Sequence, residues 1–246
     1  MTTNDSTLGV ESVAYRYTAT GPRLGPFTFS AHPGQIWAVL GSNGAGKSTL
    51  FRLIAGELRP TEGSVRLGGT TELIPQGAAI PGRLTVTQTL DYLALLRHVP
   101  RDQRASNVAE ALRLVDLVDL ADTRVRKLSG GQHRRLVIGQ ALVARPMTLL
   151  MDEPSAGLDL DQRATLRSTV AAIGQERLVL ISSHIVEDLA GVADHVLHLA
   201  EGRVVFAGTS QEYVEATGTS GHVDSVERWT EAYRTWNAKD RKGVSA

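Results

Sequence analysis

The chain has 246 residues, enough for one large domain with subdomains. Its 26 Lys and Arg balance its 26 Asp and Glu, which argues against a binder working through global positive charge, and no nucleic-acid partner is expected. There is no cysteine, so disulfides, thiol catalysis and Cys-ligated zinc are excluded.

The opening residues (MTTNDSTLGVES) are polar and lack an apolar h-region, so no secretory signal is expected. Val10 to Tyr17 alternates apolar and polar and reads as a strand; Thr20-Gly21-Pro22 reads as a turn. Phe27 to Ala31 alternates again, and His32-Pro33-Gly34 turns into the apolar run Ile36 to Leu40. Two alternating strands ahead of a buried one predict an antiparallel sheet beside an α/β core. Tyr15 and Tyr17 read as ordinary strand aromatics at this level.

Gly41-Ser42-Asn43-Gly44-Ala45-Gly46-Lys47-Ser48-Thr49 fits G-x-x-x-x-G-K-[ST], a phosphate-binding loop. The loop needs a strand to hold it, glycines so that the backbone can curl, and a helix leaving it. The apolar run supplies the strand. Ser48 onward (STLFRLIAGEL) has helical apolar spacing at Leu50, Phe51, Ile54 and Leu58. Successive N–H groups then form an anion nest at a helix N-terminus. Lys47 is placed to reach the β- and γ-phosphates, Ser48 to ligate Mg²⁺ and Thr49 to bond a phosphate.

Arg59 to Gly63 is a turn, followed by short strands at Ser64 to Leu67 and Glu72 to Ile74. After Pro75-Gln76 and a glycine-containing loop, the pattern becomes helical. Thr85 caps a helix through Leu96; His98 to Arg104 reads as a solvated basic connector; Ser106 is expected to cap a second helix. A stretch without strands predicts a helical insertion. Ser129-Gly130-Gly131-Gln132 precedes a helix over His133 to Val143, and has the form of either a second anion site or a plain N-cap with flexible glycines.

Met147 to Met151 is an apolar strand running into Asp152-Glu153-Pro154. Carboxylates at the carboxyl end of a parallel strand sit where open α/β sheets bind ligands. Asp152 can hold Mg²⁺ or its water, and Glu153 can polarise an attacking water. Ser155 to Asp159 is a loop, and a helix follows from about Leu160 to Gly174. Leu178 to Ser182 is a buried strand. His184 follows it, placed either to reach a γ-phosphate or to serve structure alone. Ile185 to Ala193 is expected to be a short helix, and Val196 to Leu199 with Arg203 to Phe206 a hairpin about Glu201-Gly202. Thr217 to Gly221 reads as a linker. Val226, Trp229, Tyr233 and Trp236 form one aromatic helix face, expected to dock on its own domain.

In order, GSNGAGKST at 41–49, Gln76, LSGGQ at 128–132, TLLMDEP at 148–154, SAGLD at 155–159 and His184 resemble the ATP-binding-cassette ATPases over about residues 10–210. LSGGQ distinguishes this family from other phosphate-loop enzymes. The resemblance implies an α/β fold: a phosphate-loop ATPase core with an N-terminal antiparallel β subdomain and an inserted helical subdomain. The expected division is 10–76 and 145–210 for the core, 77–144 for the helical part and 211–246 for a C-terminal helical tail.

The resemblance also implies roles. Tyr17 matches the aromatic that stacks on adenine; Tyr15 falls two residues too early. Gly41, Ser42, Asn43, Gly44, Ala45, Gly46, Lys47, Ser48 and Thr49 match the phosphate loop. Gln76 matches the glutamine contacting Mg²⁺ and the attacking water. Ser129, Gly130, Gly131 and Gln132 match the signature, which in the family touches the γ-phosphate held by the opposite subunit. Asp152 matches the Mg²⁺-associated carboxylate, Glu153 the catalytic one, Asp159 the loop crossing the dimer interface and His184 the switch histidine. Ser155 stands where the family often has Thr and keeps the hydroxyl.

The expected machine is therefore an ATPase using ATP and Mg²⁺, whose second copy closes a sandwich over two nucleotides. The expected partner is a separate integral-membrane permease, because no apolar run approaches the ~18 residues of a membrane span. The chain is then cytoplasmic and peripheral on the inner face of the cell membrane. Ile74-Pro75-Gln76 with LTVTQTLDYLALL, and SSHIVEDL at 182–189, look like the motor subunits of bacterial exporters. An importer subunit and a non-transport ATPase are the alternatives. The surface near Gln76 and Leu84 to Leu96 is expected to receive a helix of the permease.

Overall fold

A computed structural model describes residues 8–216 and 225–243; the expected linker at 217–221 lies outside the described residues. The chain begins with strands β1 (Leu8–Tyr15) and β2 (Leu24–Ala31). Tyr17 falls beyond β1 rather than inside the strand, because pairing with β2 ends at Tyr15 opposite Leu24. Then follow β3 (Ile36–Leu40), α1 (Lys47–Ile54), β4 (Glu62–Leu67) and β5 (Thr71–Ile74). Helix α1 stops short of the expected Leu58: Gly56 adopts φ 75° just after the Ala55 cap, a common helix terminator.

Helices α2 (Val86–Leu96), α3 (Arg101–Leu114) and α4 (Gly130–Leu142) make up the insertion. Thr85 caps α2 as expected, accepting from Gln88 N at 3.2 Å while Gln88 Oε1 accepts from Thr85 N at 3.0 Å. The expected start of α3 at Ser106 is wrong. Pro100, with φ −54° and ψ 141°, already begins it, and Ser106 bonds back to Gln103 O inside the helix. The basic connector is thus partly helical.

The remaining elements are β6 (Thr148–Met151), α5 (Leu160–Gly174), β7 (Leu178–Ser183), β8 (His195–Ala200), β9 (Arg203–Thr209), α6 (Ser210–Glu215) and α7 (Val226–Gly243). The helix expected over Ile185 to Ala193 shrinks to a 3-10 turn at Val186–Asp188. Ser183 Oγ competes for the local backbone, accepting from Ile185 N at 2.9 Å and donating to Ile185 O at 3.0 Å. Gly191 then turns the chain at φ 74°. Helix α6 opens the stretch expected to be a helical tail, and Thr209 and Glu212 form its capping box.

Two sheets result. One is antiparallel with order β2-β1-β4; the other has order β5-β6-β7-β3-β8-β9 and is parallel except for β9. Its central strands are buried on both faces, as expected when apolar runs are covered on each side. Alternation splits the side chains between two cores. Ile36, Ala38, Leu40, Leu149 and Met151 join the core shared with α2 to α5. Trp37, Val39 and Leu150 join the one containing Leu50, Phe51 and Ile54 of α1 and Leu8, Val10, Phe27 and Phe29 of the antiparallel sheet. The C-terminal helix docks on its own chain, with Trp229 fully buried and Tyr233 stacked on His198 at 5.0 Å.

Candidate functional site

In the parallel sheet β5, β6, β7 and β3 are neighbours, and all four point the same way. Their carboxyl ends therefore share one edge. Leu40 leads into Gly41, Met151 into Asp152 and Glu153, Ser183 into His184, and Ile74 towards Gln76. Sheet topology alone collects residues far apart in sequence at one edge.

The loop after β3 curls because its glycines allow it. At Gly41 a Cβ would lie 2.4 Å from Leu199 O, so no other residue fits the close approach to β8. Gly46, at φ 101°, forms the N-cap of α1 without any side-chain hydrogen bond, and no acidic residue occupies the first turn. The helix N-terminus thus keeps open N–H donors and uncompensated positive potential, the chemistry of an anion site.

Lys47 is buried, 6% exposed, and donates to Gly41 O at 2.8 Å and Ser42 O at 3.3 Å. Its third neighbour is Glu153 Oε1 at 3.2 Å. Glu153 Oε2 lies 2.7 Å from His184 Nδ1. The carboxylate therefore bridges the loop lysine and the histidine. Glu153 adopts φ 49°, a left-handed conformation unusual for a residue with a side chain, and its neighbours hold it there. Its N–H donates to Ser182 Oγ at 2.8 Å, and that hydroxyl donates to Asp152 Oδ1 at 2.6 Å. Ser182 thus orients both carboxylate residues.

Tyr17, Pro22, Leu24, Asn43 to Thr49, Gln76, Glu153 and His184 line one cleft of about 510 Å³, within the usual size of small-ligand sites. Tyr17 is 58% exposed over this cleft and its OH lies 2.8 Å from Thr49 Oγ1, tying the aromatic to the phosphate loop. Ser48 is exposed at the cleft. Ser48 and Gln76 offer oxygen donors to a cation in this cleft, while Asp152 is buried just behind its lining, beside Glu153, with Oδ1 already accepting from Ser182 Oγ. Such oxygens are hard ligands suited to Mg²⁺. No group of three or more His, Cys, Asp or Glu able to hold a metal occurs among the described residues, so phosphate oxygens and water must complete any shell. The residues fit a nucleotide with its cation.

The signature residues are not in this cleft. Ser129 caps α4, its Oγ accepting from Gln132 N at 3.3 Å while Gln132 Oε1 accepts from Ser129 N at 2.9 Å. Gly130 faces open space. Ser129, Gly131 and Gln132 line a separate cavity with Leu158, Asp161 and Gln162. Asp159 caps the adjacent α5, accepting from Gln162 N at 2.9 Å. The sequence reading missed Ser182, although it lies inside the quoted SSHIVEDL run, and Arg134, for which the sequence carries no signal.

A family model described as ABC transporter matches residues 24–156. The chain belongs to this family. Among its relatives, the ABC transporter ATP-binding/permease protein Rv1747 of Mycobacterium tuberculosis is 36% identical over 236 residues, covering 88% of this chain but 27% of that protein. The cobalt import ATP-binding protein CbiO of Rhodobacter capsulatus is 35% identical over 222 residues, covering 82% of this chain and 79% of that one. Among solved structures, a bacterial Atm1-family ABC exporter with ATP bound matches with TM-score 0.73 and 25% identity, covering 94% of this chain and 42% of that one. This ABC chain thus spans a minor part of the first relative and of the exporter, and most of the cobalt import protein. Its mixed α/β fold is that of ABC ATP-binding subunits, and import and export names both occur among its relatives. No helix among the described residues is long and apolar enough to cross a membrane.

Proposed function

We propose that this chain hydrolyses ATP with Mg²⁺ and drives transport through a separate membrane permease, on the cytoplasmic face of the membrane. The observation that carries the reading is the buried Glu153 carboxylate, held between Lys47 and His184 at the mouth of an uncapped helix N-terminus. Lys47 and the N-terminus of α1 bind the phosphates. Ser48, Asp152 and Gln76 are the residues that would hold Mg²⁺, which supplies charge neutralisation to the phosphates. Tyr17 offers its exposed ring to the adenine. Glu153 takes a proton from the attacking water, and His184 keeps that carboxylate aimed.

The signature and the phosphate loop face different cavities of one chain, which supports a dimer in which each chain completes the other's site. Leu160 is 83% exposed beside Asp159, an apolar side chain suited to burial by a second copy. Exposed Leu84, Tyr92, Leu95 and Leu96 on and before α2 make an apolar surface for the permease helix. We read the direction as export, from the likeness of the segments around Gln76 and His184 to exporter motor subunits. Import is the second reading, favoured by the near full-length match to a cobalt import protein.

Phosphate release from ATP by the purified chain, with and without Mg²⁺, tests the enzyme; no release above buffer sinks the proposal. Co-purification from detergent-solubilised membranes identifies the permease. Substrate flux in vesicles rebuilt with that permease decides direction, and accumulation on the nucleotide side would overturn export.

A further inference from the structure

Arg134 lies on α4, beyond the Ser129 cap, and borders the cavity lined by Ser129, Gly131 and Gln132. Its guanidinium reaches across to the end of β6. Nε donates to Pro154 O at 2.8 Å, and a terminal nitrogen donates to Glu153 O at 3.3 Å. The planar fork of arginine suits two successive carbonyls, which a lysine would meet as a single point charge. The Glu153 peptide is therefore gripped on both sides. Ser182 holds its N–H and Arg134 holds its C=O. A residue at φ 49° depends on such restraints. The guanidinium is also drawn out of water. Burial pulls its pKa down from the ordinary arginine value and nearby Asp152 opposes that, so its cost is carried by the contacts it makes.

Arg134 thus joins two elements that serve different nucleotides. In the sandwich, Glu153 works on the ATP of its own chain and Ser129 on the ATP of the facing chain. We propose that Arg134 is a positioning residue that couples the two ATP sites: movement of α4 when Ser129 engages the facing nucleotide is transmitted through its guanidinium to the backbone of Glu153. The inference rests on the sandwich reading of the ATPase. α4 is a short rigid rod, capped by Ser129 at one end and anchored where Val143 O accepts from Asn107 Nδ2 at 2.9 Å, so displacement at the cap is carried to Arg134. This is a two-ended contact whose loss separates the sites without touching either phosphate cradle.

The test compares wild type, Arg134→Gln and Arg134→Lys for melting temperature, nucleotide binding by a fluorescent ATP analogue, and steady-state hydrolysis against ATP concentration. Arg134→Gln is expected to keep analogue affinity, lower kcat by about tenfold with little change in KM, and reduce the Hill coefficient to about 1. Arg134→Lys is expected to recover part of kcat and of the cooperativity. Wild-type kcat and Hill coefficient in folded Arg134→Gln overturns the coupling. So does a loss of kcat that tracks a fallen melting temperature with cooperativity intact, which marks a plain staple between α4 and β6. Wild-type protein that hydrolyses without cooperativity also overturns it, whereas wild-type protein that does not hydrolyse ATP at all removes the enzyme reading and the coupling together.

Discussion

Lys47 Nζ and Glu153 Oε1 lie 3.2 Å apart, and both side chains are more than nine-tenths buried. The cation that a terminal phosphate needs is thus held by the carboxylate that a water needs. In the proposed site, ATP displaces Glu153 from Lys47 on reaching the loop, and that displacement frees the carboxylate to act as the base. Glu153→Gln weakens this competitor and removes the base. Turnover is expected to fall by ~10²-fold or more while ATP binds at least as tightly as in wild type. With Mg²⁺ and ATP the variant should elute from size exclusion as a dimer. Weaker ATP binding, or a monomer under those conditions, would contradict the site as drawn.

His184 is about half exposed and contributes one hydrogen bond to Glu153 Oε2 at 2.7 Å. In His184→Ala the carboxylate keeps Lys47 but loses its second restraint. Turnover is expected to drop by roughly 10²-fold, in the range of losing a proton-transfer partner, with analogue affinity preserved. Phosphate release in single-turnover conditions reads this directly; an unchanged rate removes His184 from the site.

Ser129→Arg puts a long cation on an exposed helix start whose neighbour Gly130 faces open space. Hydrolysis should vanish while ATP binding to the loop of the same chain persists. The lost cap should cost about 1 kcal/mol of stability, which a melting curve separates from the catalytic effect. Normal turnover in this variant would falsify a catalytic role for the signature.

His198 is fully buried in β8, with Tyr213 OH 2.9 Å from its Nδ1 and Tyr233 stacked upon it. Burial pushes its pKa from 6.5 down to about 4, with Lys47 adding to the fall and a hydrogen bond with Asn237 opposing it. The unfolded chain therefore binds a proton that the folded one refuses, and stability rises with pH across this window. The contribution is complete above about pH 6.5 and is lost as pH falls towards about 4, a total of roughly 3 kcal/mol. Urea unfolding of wild type and His198→Gln at several pH values between these limits should show the variant with the shallower slope. Parallel slopes would remove His198 as the source.

Trp229 is fully buried under Tyr213, at 5.8 Å between ring centroids. Trp229→Ala should cost about 3–5 kcal/mol. Equilibrium unfolding measures it; a cost under about 1 kcal/mol would mean that α7 adds little to the fold.

The residue types of the site were legible because each follows an apolar run: Gly41 after β3, Asp152 after β6, His184 after β7. Parallel strands bury both faces and write themselves as such runs. What the residues do to one another was not legible. Nothing in TLLMDEP tells that Glu153 turns back at φ 49° to reach Lys47, since that depends on β6 lying two strands from β3. Ser182 and Arg134 escaped for the same reason: their partners are 29 or more and 19 or more positions away. Local errors had local causes. Ser106 has the chemistry of a cap, but Pro100 had already set the backbone for α3. SSHIVEDL has helical apolar spacing, but Ser183 bonded the backbone of Ile185 first.

Four strand ends carry the working groups, and each strand is locked in register with its neighbours, Ile74 beside Met151 and Met151 beside Ile181. Side chains alternate across a sheet, so a slip of β6 by one residue would turn its apolar side chains to the opposite cores and displace Asp152 and Glu153, which follow it, along the edge. The interior of β6 should thus accept exchanges among apolar residues far better than any change in its length. In a library of variants across 148–153, single deletions and insertions should be silent for expression more often than for ATP turnover, because the sheet can re-pair around a missing residue but cannot return the two carboxylates that follow it to their former positions.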